Sequence, residues 1–281
     1  MRLGGPTFRE FRTPDEWVSL LRTLNYSAAY CPYQGNDART TAEYAAAAKS
    51  AGIVIAEVGV WNNPLSRDPE VSAGAIHVCK ERLALADRIG ALCCVNIAGS
   101  RGEKWDGPCP DDLTDDTFDL LVSVVRDIID SVKPSRAAYS LETMPWMYPD
   151  SIDASLRLIR AVDRKAFGIH FDPVNLINCP EWYFRNGTFI SDFIAQVGKW
   201  ITSVHAKDIV LRDHLTVHLD EVRPGLGKLD YGTLLREIEK LDPDMPVLVE
   251  HLGSEEEYAA AVAFIREAAK RAGVGIKPAA A

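Results

Sequence analysis

No apolar run in this chain approaches the roughly 20 residues that a membrane-spanning helix needs. The opening residues, Met1-Arg2-Leu3-Gly4-Gly5-Pro6, lack the apolar core of a secretory signal. No basic block interrupts a formal net charge of -9, which disfavours nucleic acid as a partner. The six cysteines, Cys31, Cys79, Cys93, Cys94, Cys109 and Cys179, match no zinc or redox spacing, so they read as reduced thiols of a cytoplasmic protein. Gly225-Leu226-Gly227 is too short for either a dinucleotide fingerprint or a phosphate loop and reads as a turn before Asp230 caps a helix. No linker-like stretch divides the 281 residues, so a single domain over 1–281 is expected, with a fraying tail over 275–281.

What is present is a repeat of strand and helix signals. Eight segments carry the 3.6-residue apolar period. The clearest places Phe118, Leu121, Val122, Val125, Ile128, Ile129 and Val132 on one face before Pro134 stops it. Thr13 and Ser254 are N-caps, each followed by a glutamate at the capping-box position, Glu16 and Glu257. Between the helices lie eight short runs: Arg2–Gly4, Tyr26–Tyr30, Ile53–Val60, Leu92–Ile97, Ala137–Leu141, Phe167–Phe171, Ile201–His205 and Val247–Val249. They are mostly apolar on both faces, as parallel strands covered by helices require. Eight such units predict a closed (β/α)8 barrel, with an open doubly wound sheet as the alternative. The segments 98–116 and 205–229 are expected to be long loops at the pocket end.

Four consecutive strand ends carry a metal-binding residue. Glu142 and Asp172 follow the fifth and sixth runs, His205 closes the seventh, and Glu250 follows the eighth. In a closed barrel these ends surround one pocket. Three carboxylates and an imidazole suit a hard or borderline divalent cation. Manganese is the expected ion, and magnesium, cobalt and zinc also fit. Trp61, Asn96, Trp105 and Trp146 follow or end the neighbouring strands and suit a sugar, whose apolar face an indole covers while amides bond its hydroxyls. Lys207 and Arg223 are candidate anchors for an oxyanion. His170, two residues before Asp172, is placed as its partner beneath the ion, and Asp208 as a group orienting His205 or joining the ion. Glu57 is read as a residue facing the barrel interior near its mouth.

The segments Leu141-Glu142-Thr143-Met144-Pro145-Trp146, His170-Phe171-Asp172-Pro173-Val174-Asn175, Val204-His205-Ala206-Lys207-Asp208 and Val249-Glu250-His251 resemble the xylose isomerase-like TIM-barrel superfamily over nearly the whole chain. More narrowly they are similar to its sugar phosphate isomerase/epimerase group. The resemblance implies that Glu142, Asp172, His205 and Glu250 hold the ion and that Glu142 and Glu250 are catalytic. One takes a proton from the carbon beside a carbonyl, and the other returns one to the opposite face. It also implies a sugar or related polyol as substrate. Two positions depart from the ketose 3-epimerase pattern. Asn175 stands where those enzymes have a histidine that helps hold the substrate, and the usual arginine arrangement after His205 is missing. The same superfamily contains dehydratases and lyases, so elimination from a keto sugar or keto-glycoside is the alternative reaction. A sugar-binding protein without turnover is a third reading. Association into homo-oligomers stays open, because no self-complementary patch is legible.

Overall fold

The computed structural model describes residues 1–280. The strands are β1 (Arg2–Gly5), β2 (Ala28–Tyr30), β3 (Val54–Gly59), β4 (Cys93–Asn96), β5 (Ala138–Glu142), β6 (Phe167–Phe171), β7 (Ile201–Ala206), β8 (Asp208–Leu211), β9 (Leu219–Val222) and β10 (Pro246–Val249). Eight of them close into a barrel in the order β1-β10-β7-β6-β5-β4-β3-β2, and every neighbouring pair is parallel. The fold is the (β/α)8 barrel that the alternation of apolar runs predicts.

Two-residue periodicity sorts the strand residues. On β6, Ile169 and Phe171 belong to the main apolar core, with Phe171 stacked on Phe193 at 4.3 Å between ring centroids. Gly168, His170 and then Asp172 take the other side of the strand. The outward strand residues, among them Leu3, Val58, Val204 and Val247, pack against helix residues such as Leu21, Leu83, Leu121, Leu158, Leu234 and Ile265. Burying each such side chain contributes roughly 1.5–3 kcal/mol. This packing leaves the inward positions free to be polar.

Local signals set the helix ends. Thr114 accepts a hydrogen bond from the Thr117 amide to start helix Asp115–Val132, and Lys133 closes it in the left-handed region at φ 51° before Pro134. Thr13, Asp230 and Ser254 cap their helices through the amides of Glu16, Thr233 and Glu257.

Two findings differ from the sequence expectations. Part of segment 205–229 is an antiparallel hairpin of β8 and β9, closed by an Arg212–Asp220 ion pair at 2.7 Å. Two short helices, Pro173–Leu176 and Pro180–Phe184, follow β6, each begun by a proline at its first position. The tail is hydrogen-bonded to other elements. Lys277 N donates to Met1 O at 3.0 Å, Ala280 N to Ala51 O at 2.7 Å, and Arg22 Nε to Ala280 O at 3.0 Å. These bonds hold it against elements from the first part of the chain; Ala281 lies outside the described residues. Among the described residues no helix is long and apolar enough to cross a membrane, and all six cysteines are free.

Candidate metal centre

The barrel register brings the four strand-end residues together. Glu142 is the last residue of β5 and pairs with His170 on β6, while His205 on β7 pairs with Leu248 on β10. Asp172 and Glu250 each follow the last residue of a strand. Glu142, Asp172, His205 and Glu250 are all buried and each offers a ligand atom within 4.8 Å of the others. His205 Nδ1 lies 3.2 Å from Glu142 Oε1 and 3.0 Å from Glu250 Oε1.

Asp172 divides its two oxygens between two tasks. Oδ1 caps helix Pro173–Leu176 by accepting from Val174 N at 2.9 Å and Asn175 N at 3.1 Å. Oδ2 is buried and, like Glu250 Oε1, is met by side-chain cations rather than by backbone amides: Lys207 Nζ faces both, and His205 faces Glu250 Oε1. Buried carboxylates crowded this closely need positive charge between them. Three carboxylates and an imidazole converging in this way fit a divalent cation. Thr143 fixes the β5 and β6 ends relative to one another: its hydroxyl donates to Asp172 O and accepts from Asp172 N.

Lys207 supplies the main compensating charge from the chain itself. Its Nζ is 2.8 Å from Glu250 Oε1, 3.0 Å from Asp172 Oδ2 and 3.4 Å from Glu221 Oε2. Burial disfavours its charge, but Asp172, Glu250, Glu142 and Glu221 outweigh that and hold its pKa above the ordinary range. The same balance governs His205: burial opposes protonation, and the carboxylates of Glu250, Glu142 and Glu57 reverse the sign. Burial raises Asp172 and brings Glu142 up to about 7, with His205 pulling Glu142 back in part. Glu250 is also pushed up by burial, yet His205 and Lys207 hold it below the ordinary carboxylate range.

A cation at this site competes with protons on His205 and Glu142. Both pKa values are raised, so protons are released on binding, and affinity is expected to rise with pH through 7. The slope approaches about tenfold per pH unit for each proton released. Calorimetric titration with Mn2+ between pH 6 and 8 checks this; a flat profile would contradict it.

The pocket above the centre has a volume of about 620 Å³ and is lined by Trp61, Trp105, Trp146, Asn175 and Lys207, besides Glu142 and Glu250. Trp61 adopts φ 48°, a costly backbone for a bulky residue, and its indole lies 6.4 Å from the His205 ring. Trp146 Nε1 donates to Asp106 O at 3.0 Å, joining the loops after β5 and β4. Asn175 Nδ2 donates to Glu142 Oε1 at 3.2 Å, and its Oδ1 faces Lys207 Nζ at 3.4 Å.

Four sequence-predicted placements are corrected. Asn96 is fully buried outside the pocket lining, where it accepts from Asn62 N at 3.2 Å and donates to Asn62 Oδ1 at 2.8 Å. It anchors the turn that carries Trp61. Arg223 points to Glu257 Oε2 at 2.9 Å, drawn to the acidic first turn of the last helix. His170 makes no hydrogen bond to Asp172, since both its ring nitrogens lack a hydrogen-bond partner. Its Nδ1 lies 3.4 Å from Glu57 Oε2 and its ring 4.0 Å from that of His205.

Asp208 neither orients His205 nor joins the centre. Its Oδ1 accepts from Ile209 N and Leu229 N, both at 2.9 Å, and its Oδ2 from Gly225 N at 2.9 Å and Gly227 N at 3.0 Å. A Cβ on Gly227 would lie 2.2 Å from Oδ1, so this loop needs glycine there. Removing a buried carboxylate that serves four amides is expected to cost at least about 3 kcal/mol. Urea unfolding of Asp208→Ala measures that cost.

Sequence reasoning missed other pocket residues: Tyr30, Glu221, His251 and Tyr258. Glu221 reaches the pocket only because β8 and β9 pair. His251 adopts φ 59° and meets Glu221 at 3.2 Å. Its place directly after Glu250, at a strand end, is the one signal that pointed there.

A barrel with an acid-and-imidazole centre at its strand ends has clear structural relatives. The sequence model of the xylose isomerase-like TIM barrel family matches residues 16–268, and the chain belongs to that family. A xylose isomerase-like TIM barrel protein from Mycobacterium smegmatis in complex with magnesium is 18% identical, with a TM-score of 0.66, covering 93% of this chain and 90% of that one. The probable 3-DHS dehydratase AsbF from Bacillus anthracis is 18% identical, with a TM-score of 0.67, covering 92% and 94%. The D-psicose 3-epimerase from Clostridium cellulolyticum H10, solved with D-tagatose, is 14% identical, with a TM-score of 0.67, covering 95% and 99%. No curated protein matches the chain by sequence.

Proposed function

We propose that this chain is a divalent-metal-dependent isomerase or epimerase that moves a carbon-bound proton of a keto sugar or related polyol. The observation that carries the reading is the convergence of Glu142, Asp172, His205 and Glu250 at a tryptophan-lined pocket of about 620 Å³. The related structures include a D-psicose 3-epimerase, which supports sugar chemistry, and a magnesium complex, which supports a divalent ion.

Glu142, Asp172, His205 and Glu250 would hold the ion, which supplies Lewis-acid stabilisation of the oxygen charge that develops when a proton leaves the neighbouring carbon. The chain's own residues do the rest. Trp61, Trp105 and Trp146 cover the apolar face of the substrate, and Asn175 bonds a hydroxyl. Lys207 offers an ammonium group to an oxygen of the substrate. Glu142 and Glu250 move the proton.

The test is deuterium incorporation. Protein supplied with Mn2+ or Mg2+ is incubated in deuterated water with D-fructose, D-psicose, D-tagatose and their phosphates. Incorporation of deuterium at carbon without other change of mass is expected for at least one of them. Absence of exchange across the panel with either ion would remove the main support for this reading, and loss of water from the product would assign elimination instead.

A further inference from the structure

A second polar layer lies beneath the four strand-end donors. Glu57 on β3 is 0% exposed, as are His170 and Ser203. Its Oε1 lies 3.6 Å from His205 Nε2, and its Oε2 lies 3.4 Å from His170 Nδ1. Ser203 Oγ donates to Oε2 at 3.4 Å. Glu57 Oε1, His205 Nε2 and both ring nitrogens of His170 have no hydrogen-bond partner. A carboxylate buried this deeply is costly, and an apolar side chain of similar size often gives a more stable protein. Its presence at this depth therefore calls for a role other than packing.

The His205 ring supplies one. Nδ1 faces Glu142 and Glu250, at 3.2 and 3.0 Å, and Nε2 faces Glu57. Nδ1 can bind a cation only through its lone pair, so the ring proton must then sit on Nε2. A carboxylate facing Nε2 adds to the ring's own preference for that tautomer and fixes the orientation of the imidazole. We propose that Glu57 is a positioning residue for His205: its carboxylate keeps the proton on Nε2 and so presents a bare Nδ1 to the divalent ion. The inference rests on the ion-binding part of the proposed function and not on turnover. It requires the 3.6 Å contact to tighten into a hydrogen bond of about 2.7–3.2 Å once Nδ1 is ligated.

Mn2+ is the probe for affinity, measured on the full chain by competition with a chelator. Wild type is expected to bind one ion. Glu57→Leu should weaken binding about ten- to a hundredfold, the usual effect of losing such an outer partner. Glu57→Gln keeps an acceptor oxygen and should recover most of the affinity. Without added ion, Glu57→Leu should unfold at the same or a higher temperature than wild type. A residue needed only for packing would instead lower that temperature and leave affinity alone.

A second measurement needs no variant. Long-range proton–nitrogen NMR of the Zn2+-loaded wild type should show His205 protonated on Nε2 and ligated through Nδ1. The opposite tautomer would overturn the inference, as would a Glu57→Leu protein that binds Mn2+ as tightly as wild type. Two ions per chain, the second lost in Glu57→Leu, would make Glu57 and His170 ligands and overturn it too. A wild type that binds no ion overturns the metal centre and this inference together, whereas a wild type that binds alongside an unaffected variant overturns only the inference.

Discussion

Glu142→Gln is expected to lower carbon-bound proton exchange by more than about a hundredfold at saturating ion, while the protein folds as wild type does. The substitution keeps the shape and an acceptor oxygen, so the 3.2 Å bond from Asn175 Nδ2 survives. It removes the carboxylate that can take up a proton. An amide cannot take or return a proton at neutral pH. Because Glu142 is also one of the four donors, the comparison must be made at ion concentrations that saturate the variant. Glu250→Gln should fall by a similar factor. Thermal unfolding of the same samples separates lost chemistry from lost fold. A sugar-binding protein without turnover would show no exchange in wild type and nearly unchanged ligand affinity in Glu142→Gln.

The second large effect concerns stability on ion binding. An ion that binds only the folded chain stabilises it by about 4 kcal/mol at a thousand times its Kd. For a chain of this length that raises the midpoint by roughly 10 °C, taking about 2–4 °C per kcal/mol. Asp172→Asn should abolish most of this shift. The choice of asparagine matters: it retains Oδ1, which caps helix Pro173–Leu176, and replaces Oδ2, the buried oxygen that Lys207 meets at 3.0 Å. Loss of the shift can then be assigned to ion binding rather than to loss of the cap. Scanning calorimetry with and without Mn2+ gives the result, and an undiminished shift in Asp172→Asn would remove Asp172 from the centre.

The barrel was legible because its signals are local. Apolar runs such as Phe167–Phe171 carry strand length and two-sided burial in the sequence itself, and Thr13 and Pro134 mark helix ends by their own chemistry. The convergence of Glu142, Asp172, His205 and Glu250 followed from the same reasoning, since in a closed barrel residues at successive strand ends must face one another. What failed depends on distant partners. The β8–β9 hairpin has four-residue strands with polar positions at Asp220 and Glu221, too short to display a period, so Glu221 was missed. Asp208 was misplaced because nothing in its own segment reveals that the amides of Gly225, Gly227 and Leu229 converge on it. Arg223 was drawn away by Glu257, more than thirty positions further along. His170 had the right face and the right layer but another partner: parity gives the side of a strand, not the neighbours on other strands, and one layer below Asp172 those are Glu57 and His205.

The most direct test is an anomalous difference map from a crystal of the full chain grown with Mn2+. One peak is predicted, within coordination distance, roughly 2.0–2.6 Å, of Glu142, Asp172, Glu250 and Nδ1 of His205. The Lys207 ammonium should have left Asp172 Oδ2 and Glu250 Oε1, the two atoms it now contacts at 3.0 and 2.8 Å. A map with no peak among these four residues, and Lys207 still seated between the carboxylates, would contradict the account.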